Sequence, residues 1–230
     1  MKRTLLIVAL LNAALLVAFL CHTHSATAQE ADRHKHDSSE KLGRVNFTTS
    51  CTTQAQRQFN RAVAWLHSFE YEEAEKVFTE VTVTDPRCGM GYWGIAMSNY
   101  HPLWAPPGAA ELKKGWEAIE KGKTVSARTG RERDYIAAIE VFYKESDKLD
   151  HRARTFAYSE AMEQLHRRYP SDLEAGVFYA LTLIAKGTMT GDKSYPNEKK
   201  AAQILNRVLA PEPRHPGVTH YLIHSYDYPA

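Results

Sequence analysis

Three residues near the end of the chain have the types and spacing for metal chemistry: His220, His224 and Asp227. Offsets of four and three put all three side chains on one face of a helix. Two imidazoles and a carboxylate can then meet one divalent ion such as Zn, Fe or Cu. His215 lies just upstream, and His101 is a further candidate ligand from elsewhere in the chain. The hydrolase form of this spacing carries Glu directly after the first histidine as the general base. Here that position is Tyr221, which argues against a zinc peptidase but not against metal binding. The plainer alternative is a polar pair that hydrogen-bonds a peptide or a neighbouring helix. His67, His151 and His166 stand alone on polar helical faces and read as surface residues. His34 and His36 sit in a polar stretch without periodicity, a poor preorganisation for an ion.

The sequence carries no Gly-rich phosphate loop after a strand and no Gly-x-Ser-x-Gly elbow. Carboxylate pairs such as Glu72 and Glu73 read as solvated helix faces. The expectation is a protein that is not an enzyme and requires no cofactor, with a divalent metal as the alternative.

The first residues address the compartment. Lys2 and Arg3 precede an apolar run from Leu5 to Leu20, and Ala26-Thr27-Ala28 supplies the small residues that a signal peptidase reads. Cleavage is expected after Ala28, giving a 1–28 signal peptide and a periplasmic or extracellular protein. An uncleaved anchor would be the one contact with a membrane. Lipidation at Cys21 is disfavoured because Leu20, not a small residue, precedes it. Export leaves Cys51 and Cys88, an even count that permits one disulfide or two separate buried thiols. The chain of 230 residues has 29 Lys and Arg against 27 Asp and Glu. Without Lys2 and Arg3 the two signs balance, so there is no broad basic field for nucleic acid. Residues 29–50 are polar and aperiodic, and read as a disordered leader.

From residue 51 onward the apolar residues recur three and four apart, as in Phe59, Val63, Leu66 and again in Tyr135, Ala138, Ile139, Phe142. Strand signals are nearly absent. Helices are expected near 53–68, 71–84, 88–101, 109–127, 130–145, 151–169, 172–187, 197–210 and 216–227. Asp172 or Ser171 is expected to cap the seventh, with Glu174 close behind. The class is all-α, with four hairpins and an unpaired ninth helix.

The chain also repeats itself. Ala74, Phe78, Val81 and Pro86 lie at spacings of four, three and five, and Ala201, Leu205, Val208 and Pro213 reproduce them. After each proline the chain resumes alike, through Tyr92-Trp93-Gly94-Ile95-Ala96 and His220-Tyr221-Leu222-Ile223-His224. With Tyr71 before Ala74, and with Ala62 and Trp65 on the preceding helix, this resembles the tetratricopeptide repeat, in its exported bacterial form. Ala161, Leu165 and Pro170 carry a shortened version, and 109–150 keeps the hairpin rhythm without the signature.

The resemblance implies a right-handed superhelix of stacked antiparallel hairpins over residues 51–230. It implies that Cys51 and Cys88, each before the first helix of its unit, lie side by side and form a staple. It further implies that first helices line a concave wall where a peptide or protein ligand sits. Transferred to this chain, that wall carries Trp93, Met97 and Tyr100, with His220, His224 and Asp227 at equivalent places on the last helix. The Pro-rich loop His101–Gly108 falls at its rim, where Trp104 either plugs the stack or walls a cleft and His101 is counted with the ligand-binding residues. Family members are usually longer, so the chain reads as the N-terminal part of a longer protein.

Overall fold

In a computed structural model, residues 42–125 and 128–229 are described. The 1–28 signal, the first part of the leader, and His34 and His36 lie outside them. Among the described residues all regular structure is helical: α1 (Thr53–His67), α2 (Tyr71–Thr84), α3 (Gly89–Ser98), α4 (Ala109–Thr124), α5 (Gly130–Tyr143), α6 (His151–Arg168), α7 (Leu173–Thr190), α8 (Pro196–Leu209) and α9 (Pro216–Tyr226). No helix among them is long and apolar enough to cross a membrane.

Local chemistry sets most of the helix starts. The Thr129 hydroxyl accepts from the Glu132 N–H while the Glu132 carboxylate accepts from the Thr129 N–H, a closed capping box on α5. Asp150 and Asp172 cap α6 and α7 through the N–H groups of Ala153 and Ala175. Pro196 and Pro216 open α8 and α9, where a missing N–H costs nothing. At α7 the cap is Asp172, one of the two residues that the sequence proposes.

Each helix packs against the next in sequence. Three-residue links such as 68–70 allow only an antiparallel return. Ala74 and Ala201 are fully buried, as small residues at a close helix approach must be. A Cβ on Gly94 of α3 would fall 2.1 Å from the Phe78 ring of α2, so this contact depends on glycine's bare backbone.

Odd-numbered helices also contact one another: α1 with α3, α3 with α5, α7 with α9, and α9 with α1. The last helix therefore returns to the first. Between them runs the segment 42–50, which the sequence assigns to a disordered leader. Phe47 is fully buried and Val45 is 6% exposed, so that assignment does not describe this stretch. The reason is tertiary: Phe47 has no periodic apolar neighbours and is ordered by rings from four helices, three of them distant in sequence.

Cys51 and Cys88 lie at disulfide distance, with Cα atoms 5.0 Å apart and a sequence separation of 37. The Thr52 N–H donates to the Asp85 carboxylate at 2.9 Å beside them, tying the same two chain turns a second time. Closing a loop of this length should stabilise the fold by about 2–4 kcal/mol. Reduction should therefore lower the urea midpoint without changing helix content at zero denaturant, as circular dichroism with and without reductant would record. An unchanged midpoint would mean that the crosslink contributes nothing to folding.

Candidate functional site

The inner face of the odd-numbered helices is aromatic, and the chain itself fills it. The Phe47 ring lies 5.3 Å from Phe59 of α1, 5.5 Å from Trp93 of α3, 4.9 Å from Tyr135 of α5 and 6.3 Å from Phe178 of α7. The Arg131 guanidinium covers it from the fifth side at 4.7 Å. The backbone around it is held at most positions. The Arg44 N–H donates to the Arg214 carbonyl at 2.9 Å. Gln56 Nε2 donates to the Phe47 carbonyl at 2.8 Å, and an Arg131 Nη donates to the Thr48 carbonyl at 2.8 Å. The Ser50 hydroxyl and N–H both donate to the buried Glu132 carboxylate. A segment without regular secondary structure thus binds through its main chain, with one ring as its anchor.

Of the residues expected on an open wall, Trp93 and Met97 are at most 2% exposed and Tyr100 is fully buried. Trp93 packs edge-on to Phe47, Tyr135 and Phe178. Tyr100 packs edge-on to Phe142 and Tyr158, and the Tyr158 hydroxyl donates to the Met97 sulfur at 3.3 Å. A ligand would have to displace the 42–50 segment to touch Trp93. His101 and Trp104 behave differently. His101, half-buried, stacks on Tyr71 at 4.5 Å. Trp104 is 70% exposed, edge-on to His224 at 5.0 Å and to Phe69 at 5.8 Å, so it walls the surface rather than plugging the stack.

The three groups on α9 meet only in part. His220 Nδ1–H donates to the His67 carbonyl at 2.7 Å, which leaves its Nε2 lone pair free to face His224 Nε2 at 3.1 Å. Burial and the neighbouring His220 hold the His224 imidazole below its ordinary pKa, against the pull of Asp227. Asp227 itself is exposed at the helix end and does not complete a three-ligand cluster with them. The helix ends there, so the offset of three from His224 no longer fixes the carboxylate to the same face.

Among the described residues the ligand set that does converge is His67, Glu174 and His215. The sequence reading puts His67 on the surface. It is fully buried, stacked on Phe178 at 4.7 Å and tilted against His215 at 4.8 Å. Its Nε2 lies 3.0 Å from Glu174 Oε2, and His215 Nε2 lies 2.9 Å from Glu174 Oε1. The remaining ring nitrogens are engaged from outside. His67 Nδ1 lies 3.0 Å from the Tyr221 hydroxyl, and His215 Nδ1 accepts from the Val218 N–H at 3.3 Å as the cap of α9. A Cβ on Gly217 would fall 2.6 Å from His67 Nδ1, so that position must be glycine for the ring to sit there.

Burial alone would raise the Glu174 carboxyl, but the two imidazole N–H groups overcome it and hold the group well below the usual carboxylate range. Burial pushes His67 the other way, toward the neutral form. The centre is thus one carboxylate between two imidazoles, and the Val218 N–H donated to His215 Nδ1 leaves that ring its Nε2–H for Glu174. Glu174 and His215 also line a cleft of about 560 Å³, shared with Thr49, Ser50, Arg131 and Asp172. Arg131 Nε–H and the Tyr135 hydroxyl both donate to Asp172 there, at 2.6 and 2.9 Å. The one signal for His67 in the sequence is its position just after the continuous apolar run Ala62 to Leu66, every member of which is buried. Set against models of protein families, against characterised proteins and against solved structures, the chain matches none, so its function is argued from its own residues.

Proposed function

We propose that this protein is an exported helical-repeat scaffold, similar to tetratricopeptide proteins, that receives an extended peptide anchored by an aromatic side chain. The observation that carries the reading is the seat of Phe47, built from one ring on each of α1, α3, α5 and α7. Aromatic seats of this kind bury large area with few rotors to freeze, and main-chain bonds beside them suit a strand-like ligand. The 42–50 segment is then an internal occupant that a partner peptide replaces. The pair at disulfide distance supports an oxidising compartment, in keeping with the expected 1–28 signal. The alternative, a metal on His220, His224 and Asp227, has support from two of its three groups.

Competition tests the scaffold reading. A labelled peptide of sequence 42–50 should bind the Phe47→Ala protein saturably, and the unaltered protein at least about tenfold more weakly, the equivalent of roughly 1.4 kcal/mol. Fluorescence anisotropy measures both. Equal binding to the two proteins, or binding that survives Phe-to-Ala replacement in the peptide, would discard the seat as a ligand site.

A further inference from the structure

The His67–Glu174–His215 centre has a use beyond tying helices together. Its three groups come from the end of α1, the first turn of α7 and the cap of α9, so no sequence motif announces it. All three side chains are at most 5% exposed. Their candidate ligand atoms lie within 4.8 Å of one another. Ligands about 2.1 Å from a tetrahedral ion stand about 3.4 Å apart. The two imidazole-to-carboxylate separations, 3.0 and 2.9 Å, run to the two different oxygens of Glu174 and need to widen by about half an ångström. Ligand atoms set as much as 4.8 Å apart need to close by up to about 1.4 Å for one carboxylate oxygen and both imidazoles to share an ion. Two imidazoles and one carboxylate are a donor set for a borderline divalent cation, with the fourth position left open. Two of the three groups line the cleft, which gives that position solvent and room.

We propose that His67, Glu174 and His215 bind one divalent transition-metal ion, of zinc type, with its open coordination position facing the cleft beside Ser50 and Arg131. Protons and charge balance without a reductant or oxidant. In the hydrogen-bonded form both Nε2 atoms carry hydrogen toward Glu174. On metal binding each imidazole stays neutral and its proton moves to Nδ1. At His67 that proton meets the Tyr221 hydroxyl oxygen, which accepts it. At His215 it displaces the Val218 N–H, whose bond is already the longest in the centre at 3.3 Å. The carboxylate offsets half the charge of the ion, and the net single positive charge favours water, hydroxide or an anionic group in the open position.

The test uses the mature full chain and Zn²⁺ alone, with no peptide present, so that its outcome is separate from the scaffold reading. A background of His34→Ala, His36→Ala, His220→Ala and His224→Ala removes the other imidazole pairs. Isothermal titration calorimetry in that background should find one Zn²⁺ per chain. Glu174→Gln should weaken it about a hundredfold or more, and Tyr221→Phe, which keeps every ligand and loses only the hydroxyl, about tenfold. Bound Co²⁺ should show the visible absorption of a low-coordinate site, and lose it in Glu174→Gln. The Tyr221→Phe protein decides the matter should Glu174→Gln not fold. Absence of stoichiometric binding in the background, or affinity unchanged in the folded variants, would overturn the site.

Discussion

Replacing Phe47 with alanine should destabilise the protein by about 3–5 kcal/mol, the range for a buried phenylalanine whose surroundings cannot close over the void. The surroundings here are stiff. Phe59, Trp93, Tyr135 and Phe178 are each at most 1% exposed and packed on further rings, so none can swing inward without breaking a second contact. The Arg131 guanidinium also loses the face it covers, while its bond to Asp172 keeps it from following the cavity. Phe47→Leu keeps most of the volume and should lose about 1 kcal/mol or a little more. Urea titration followed by circular dichroism measures both, with the slope checked for constancy so that the midpoints compare like transitions. A loss below about 1 kcal/mol in the alanine protein would mean that the segment does not sit among the helices.

Glu174→Ala should come next, and for a different reason. It removes the acceptor from two buried imidazole N–H groups at once, and each orphaned donor costs about 1–3 kcal/mol. Because Glu174 borders the cleft, water can reach part of the vacated space, which places the expected loss nearer the middle of the combined range. Glu174→Gln should cost less. Its amide oxygen still accepts from one imidazole while its amide nitrogen opposes the other. An order of alanine worse than glutamine in denaturation midpoint would identify hydrogen bonding as the source. A reversed order would point to packing instead.

Much of the helical skeleton was legible because helix burial is a local property. The spacing of Phe59, Val63 and Leu66 predicts a helix over 53–68, and α1 runs Thr53–His67; 216–227 corresponds to Pro216–Tyr226. Where ends differ, capping decides: α7 continues to Thr190 because Gly191 is the first residue in the left-handed region, a helix stop that a hydrophobic pattern does not register. Cys51 and Cys88 lie at disulfide distance, the pairing that the resemblance to tetratricopeptide repeats implies. The centre was not legible. Glu174 in isolation is an acid in a first turn, which ordinarily serves the helix dipole from the surface. His67 in isolation is a polar residue at a helix end. Only the return of α9 to α1 buries both, and that return involves residues far apart in sequence, beyond the reach of any periodicity. Phe47 escaped for the same reason, being one ring in a polar stretch.

The inward course of residues 42–50 also sets an order of events during synthesis. Asn46 pairs with Glu212, 166 residues downstream, and Phe47 needs α7 before its seat exists. A ribosome delivers the anchor first and its receptacle last. Until then the early hairpins carry an uncovered strip of aromatic rings, and the 42–50 segment stays undocked while part of its seat is still to come. Full docking of that segment is therefore a late act of folding, with a long loop to be drawn shut before the contacts to α7 and Glu212 repay it.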